Sequence, residues 1–155
     1  MRQISNVHDK FFQETFTREE IAKSFMKSYL PKSVLAKIDL DKLTIVKDTF
    51  IDKELREHFS DILYIVRYRD SELYIYLLFE HKSYPEPMVG LQILRYMVRI
   101  WEQYLKKHPK AKKVPAIFPI VFYHGRTKWN VPENFQSIVE NYDGSDELCK
   151  YMPGC

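Results

Sequence analysis

Apolar positions along this chain recur at two spacings, and each spacing predicts an element. The first periodic stretch follows Thr17 to Glu20, "TREE", which has the form of a capping box. Ile21, Phe25 and Tyr29 then recur at near-helical spacing, and Pro31 stops the helix. "KSVLAKI" predicts a second, short helix. "KLTIVKDTF" predicts a first strand, because Thr44, Ile45 and Val46 are β-branched. "IDKELREHFS" is polar and predicts a loop or one helical turn. Two apolar runs follow, "DILYIVRY" and "LYIYLLFE", with the polar "RDSE" between them, and together they predict a hairpin. Both faces of each run are apolar, so the sheet is expected to carry helices on both sides.

"PEPMVGLQILRYMVRIWEQYLKKH" predicts a long helix starting near Pro85 and Pro87. Its 3.6-period stripe is Leu91, Leu94, Val98, Trp101 and Leu105. "KKHPKAKK" is a basic connector, and "VPAIFPIVFYHG" predicts a last strand closed by Gly125. A short helix is expected within "PENFQSIVEN" and a turn at Asp143-Gly144. The order helix, strand, strand, strand, helix, strand implies an α/β layer fold with a mixed sheet.

Composition narrows the classes. With 155 residues, 15% of them aromatic, the chain suits one domain with a sizeable core and excludes disorder. A net charge of +3 permits a nucleic-acid partner without demanding one. The two cysteines, Cys149 and Cys155, both lie at the end, so neither a disulfide framework nor a cysteine-based zinc site is supported. "MRQISNVHDKFF" has no apolar core of a secretory signal, and no apolar run is long enough to span a bilayer. The expectation is a cytoplasmic protein with no membrane partner.

The candidate chemistry sits where the second hairpin strand ends in "EHK". If the hairpin turns on Asp70-Ser71, Arg69 pairs with Glu72 and Asp61 pairs with Glu80. Directly opposed residues have Cβ atoms about 4.5–5.5 Å apart. Two carboxylates at that spacing repel, and a divalent cation would remove the penalty. Lys82, two residues beyond Glu80, lies on the same strand face and could orient a water or neutralise developing charge. The backbone carbonyl of His81 could add a metal ligand. Against this stands a plainer reading, in which Glu80-x-Lys82 is a solvated salt bridge; Asp61 at the matching register shifts the balance toward a site.

An Asp, a strand, then Glu-x-Lys resembles the PD-(D/E)XK nuclease superfamily. "HDKFF", "SDILYIV", "YIYLLFEHKS", "LQILRYM" and "IFPIVFYHGRTKW" together resemble the recombination-promoting nucleases of the Rpn, or YhgA-like, transposase-like group. The resemblance covers residues 6–150. It implies a restriction-endonuclease-like αβββαβ core and a Mg²⁺-dependent DNA endonuclease linked to DNA recombination, with Mn²⁺ as a substitute. Asp61 and Glu80 would hold the ion and Lys82 would position the attacking water. Gln92 and Tyr96 resemble a Gln-x-x-x-Tyr motif of some branches and are four apart on one helix face. Members of the group often carry Gln at the motif lysine, so Lys82 restores the general superfamily form. Family members usually continue well past "CKYMPGC", so residues 1–155 are expected to be a single PD-(D/E)XK nuclease-like domain, either truncated at its C-terminal end or a shortened member of the group.

Other candidates weigh less. His8, His58, His81, His108 and His124 form no recognised metal pair. His8-Asp9 and Tyr123-His124-Gly125 match the family pattern but read first as a cap and a turn. Lys106 to Lys113 reads as a solvated connector. Arg95 and Arg99, four apart on the helix of Gln92, offer a basic face for DNA. No phosphate-binding glycine loop and no nucleophile elbow is present. The leading reading is therefore a DNA endonuclease, with a homodimer suited to double-strand cleavage. The alternatives are a catalytically silent nuclease-fold accessory that binds DNA or a partner, and a plain α/β domain with a surface salt-bridge network.

Overall fold

In the computed structural model, which describes residues 2–46, 60–80, 85–140 and 147, the two most continuously apolar segments form the centre of a four-stranded sheet. These are β2 (Ser60–Tyr68) and β3 (Ser71–Glu80), paired antiparallel. β1 (Ile38–Val46) flanks β2 antiparallel, and β4 (Ala116–Tyr123) flanks β3 in parallel. A parallel neighbour requires a crossover, supplied here by α4 (Val89–Lys107). Before the sheet come α1 (Arg2–Phe16), α2 (Glu19–Tyr29) and the single turn α3 (Lys32–Leu35). The result is the expected mixed α/β arrangement with an αβββαβ core.

Side chains alternate across β2 and β3 and build two cores. On one face Ile62, Tyr64 and Val66 of β2 with Leu73, Ile75, Leu77 and Phe79 of β3 pack under Phe12, Ala22, Phe25 and Met26 of α1 and α2. On the other face Leu63, Tyr74, Tyr76 and Leu78 pack under Val89, Tyr96 and Ile100 of α4. Helices on both faces explain why both strands lack a polar side.

Four expectations are corrected. The helix α1 was not anticipated. Its apolar residues do not form one stripe: Val7 and Phe11 are 68% and 69% exposed, and Phe12 is buried, stacked on Phe79 at 4.4 Å. The capping box does not form. The N-cap of α2 is Arg18 without a side-chain cap, and the Thr17 hydroxyl instead donates to the Gln13 carbonyl at 2.6 Å, closing α1. The hairpin turns on Arg69-Asp70, one residue earlier than assumed, with Arg69 in the left-handed region (φ 54). Asp61 therefore pairs with Leu78, not Glu80. Moving a two-residue turn by one position shifts the register by two, which leaves every side chain on its original face, so the apolar pattern could not separate the two registers.

The fourth correction concerns α4. Its buried residues are Val89, Tyr96 and Ile100, with Ile93 and Tyr104 packed beside them. The stripe read from the sequence lies on the other side of the helix: Leu91, Val98 and Leu105 are 49%, 43% and 41% exposed, while Leu94 and Trp101 are half-buried and the Trp101 indole donates to the Pro115 carbonyl at 2.8 Å. Both stripes satisfy the helical period, and the sheet chose the one carrying the tyrosines. The segment 51–59 and the turn expected at Asp143-Gly144 lie outside the described residues. The short helix expected in "PENFQSIVEN" is a 3-10 turn, Phe135–Ile138, capped where Asn134 accepts from the Ser137 amide at 3.1 Å.

Candidate active site at the end of the sheet

Asp61 enters at the start of β2, on the face that packs under α4. Its backbone is held by the ladder to Leu78 and by the Gln13 side chain of α1, which donates to the Asp61 carbonyl at 3.4 Å. Its carboxylate is half-buried and accepts from the Tyr76 hydroxyl, which donates to Oδ2 at 3.0 Å. The register makes this contact: Tyr76 pairs with Leu63, two residues along from Asp61 on the same face. Burial, then the charge of Asp61 and this hydrogen bond, push the Tyr76 phenol far above its ordinary pKa, so it stays a donor.

Tyr96 reaches the same spot from α4. Its ring lies 5.7 Å from that of Tyr76, centroid to centroid. Burial raises its phenol first and the Asp61 carboxylate raises it further, while Arg95 pulls it down. Gln92, one turn earlier, buries its side-chain carbonyl oxygen with no hydrogen-bond partner among the described residues. So α4 brings Gln92 and Tyr96 over the strand face that begins with Asp61. Arg95 is exposed, and Arg99 pairs with Glu102 at 3.0 Å on the surface.

Glu80 ends β3, and its backbone pairs with Tyr123 of β4. Strand parity puts position 80 on the face of Leu78, hence on the face of Asp61, as its diagonal neighbour. His81 and Lys82 lie outside the described residues. Among the described residues no three His, Cys, Asp or Glu side chains gather as a metal group, and no helix is long and apolar enough to cross a membrane.

Two side chains at this site escaped sequence reasoning. Tyr76 looked like core, although a buried tyrosine hydroxyl needs a partner and parity offers Asp61. Gln13 lies on a helix that the pattern did not reveal. The structure also brings together two segments read separately: the rings of His8 and His124 lie 6.1 Å apart, beside the strand end where Tyr123 meets Glu80.

The family described as "Putative transposase, YhgA-like" matches residues 6–154. The chain belongs to this family. The chain is 33% identical over 121 residues to "Recombination-promoting nuclease RpnD" of Escherichia coli O157:H7, covering 78% of this chain and 46% of that protein. It is 32% identical over 124 residues to "Recombination-promoting nuclease RpnA" of Escherichia coli (strain K12), covering 80% of this chain and 42% of the relative. A third relative from the same strain, "Putative inactive recombination-promoting nuclease-like protein YjiP", is 34% identical over 96 residues, which are 62% of this chain and 93% of YjiP. The chain thus spans less than half the length of these two relatives named as nucleases. No solved structure matches it.

Proposed function

We propose that this chain is a metal-dependent DNA endonuclease, serving DNA recombination, with its centre where β2 begins and β3 ends. The observation that carries the reading is the placement of Asp61: anchored by Tyr76, beside Tyr96, on the sheet face that position 80 shares. Relatives named as recombination-promoting nucleases support it.

The donor chemistry fits a hard divalent cation. Diagonal neighbours on one sheet face are roughly 7–8 Å apart, so two carboxylates at positions 61 and 80 can reach an ion between them. Asp61, Glu80 and the His81 carbonyl would hold Mg²⁺, or Mn²⁺ in its place. Such an ion, when bound, polarises a scissile phosphate and acidifies a water. The chain's own residues do the rest. Tyr76 keeps the Asp61 carboxylate in one rotamer. Lys82 orients the attacking water. Gln92 and Tyr96 line the approach. Arg99 lies about 20° round α4 from Gln92 and Arg95 about 60°, so Arg99 is the one to make the phosphate contact.

Plasmid DNA incubated with Mg²⁺ or Mn²⁺ tests this. The native chain should nick or linearise it, and Asp61→Ala should not, with the fold retained by circular dichroism. Lys82→Ala should slow cleavage while leaving metal affinity unchanged. Full activity in the Asp61 variant refutes the assignment.

A second reading has its own support, since the chain covers 93% of a relative named inactive. In that reading the fold is a silent accessory that binds DNA or a partner. Calorimetry separates the two: no Mn²⁺ binding, with or without DNA, leaves only the accessory.

A further inference from the structure

The outer stripe of α4 has a regular spacing that its burial does not explain. Leu91, Leu94, Val98, Trp101 and Leu105 follow one another at intervals of three, four, three and four residues. That is the heptad spacing of a helix packed against another helix. At 100° per residue the stripe lies about 160° round α4 from Val89, Tyr96 and Ile100, the residues that pack on the sheet. α4 is therefore apolar both toward its own core and away from it. On one flank the stripe runs into an open groove of about 950 Å³ between α4 and β4, lined by Gly90, Met97, Trp101, Pro119 and Trp129 among others. Among the described residues β4 is the last strand of the sheet, and Pro119 at its middle lacks the amide that a further strand would need there.

The other flank carries charge, and its pattern selects the partner. With Leu91 and Leu94 as the two seam positions of a heptad, Arg95 and Glu102 both occupy the same flanking position, one heptad apart, and Glu102 also holds Arg99 of its own helix at 3.0 Å. The opposite flanking positions are Gly90, Met97 and Tyr104, none of them charged. In a parallel pair of helices one flank faces the other kind, so Arg95 and Glu102 would face no charge. In an antiparallel pair each flank faces itself. A two-fold axis crossing α4 near Val98 then sets Arg95 of one copy opposite Glu102 of the other, twice, and sets the apolar flanks together. Such an interface is isologous, with the same patch on both subunits.

We propose that the outer stripe of α4 is a homodimer interface, with the two copies of α4 packed antiparallel and Arg95 of each paired with Glu102 of the other. This goes beyond the nuclease reading and does not depend on it. Light scattering coupled to size-exclusion chromatography tests it on the whole chain. The native chain should have a mass of twice 18.7 kDa at micromolar concentration. Leu91→Glu and Val98→Glu should each give monomers with an unchanged circular dichroism spectrum, because both positions are exposed in the single chain. Arg95→Glu and Glu102→Arg should each raise the dimer dissociation constant by about tenfold or more. The double variant, which reverses the pair, should bind more tightly than either single variant, short of the native value because it also replaces the Glu102 that pairs with Arg99. A monomeric native chain overturns the proposal and leaves the stripe to another segment or partner. So do dimers that survive both glutamate substitutions, or a double reversal no better than the single ones.

Discussion

Removing one oxygen atom tests how the site is held. Tyr76→Phe keeps the ring, which is 1% exposed and 5.7 Å from Tyr96, and deletes only the donor to Asp61. A hydrogen bond to a charged group contributes about 1.5–3 kcal/mol. Asp61 is half-buried, so water replaces part of what is lost and the expected cost is about 1–2 kcal/mol. For a domain of this size each kcal/mol moves Tm by about 2–4 °C. Tm at neutral pH should therefore fall by about 2–8 °C, measured by circular dichroism. If Asp61 holds a cation as proposed, a group that orients it should also matter to chemistry by about 10–100-fold. Cleavage should drop by that factor in Mg²⁺ and be partly restored at higher metal concentration, since the ligand itself remains. A variant with native Tm and native cleavage would show that the Tyr76 hydroxyl holds nothing, and the account of the site would fail with it.

Three other outcomes follow from the packing. The phenols of Tyr64, Tyr74, Tyr76 and Tyr96 are all raised, chiefly by burial, Tyr74 to about 12. The folded state then holds protons that the unfolded chain releases near pH 10, so stability is intact below about pH 10 and lost above it, by at most about 1.4 kcal/mol per pH unit per tyrosine. Tm against pH, with tyrosinate absorbance, should show these tyrosines ionising only as the protein unfolds; ionisation without loss of Tm would contradict it. Ile100→Ala should cost about 2–5 kcal/mol in urea unfolding, because it empties a buried site under the sheet, whereas Val98→Ala in dilute monomer should cost under about 0.5 kcal/mol. Equal losses would mean the two faces of α4 are misassigned. Phe12→Ala removes the ring stacked on Phe79 and should cost about 3–5 kcal/mol; a cost below 1 kcal/mol would show that α1 is not part of the core.

Periodicity determined much of this protein. It separated β2, β3, β4 and α4, and the two-sided apolar runs implied helices on both faces. Parity alone set Asp61 and position 80 on one side of the sheet, in either hairpin register. Those features are local, because a strand or helix repeats its faces at fixed spacing whatever surrounds it. Tertiary structure decided what periodicity leaves degenerate. It moved the turn to Arg69-Asp70, since two registers that differ by two residues bury the same side chains. It chose Tyr96 and Ile100 over Leu91 and Val98 as the inner face of α4, a choice that depends on which rings fit over Tyr74 and Tyr76. It recruited α1 through Phe12 stacked on Phe79, through Phe16, whose carbonyl accepts from the Tyr64 hydroxyl at 2.7 Å, and through Gln13. And it gave Asp61 its donor: the Tyr76 hydroxyl, fifteen residues away in the chain, comes within bonding distance only once the hairpin has closed.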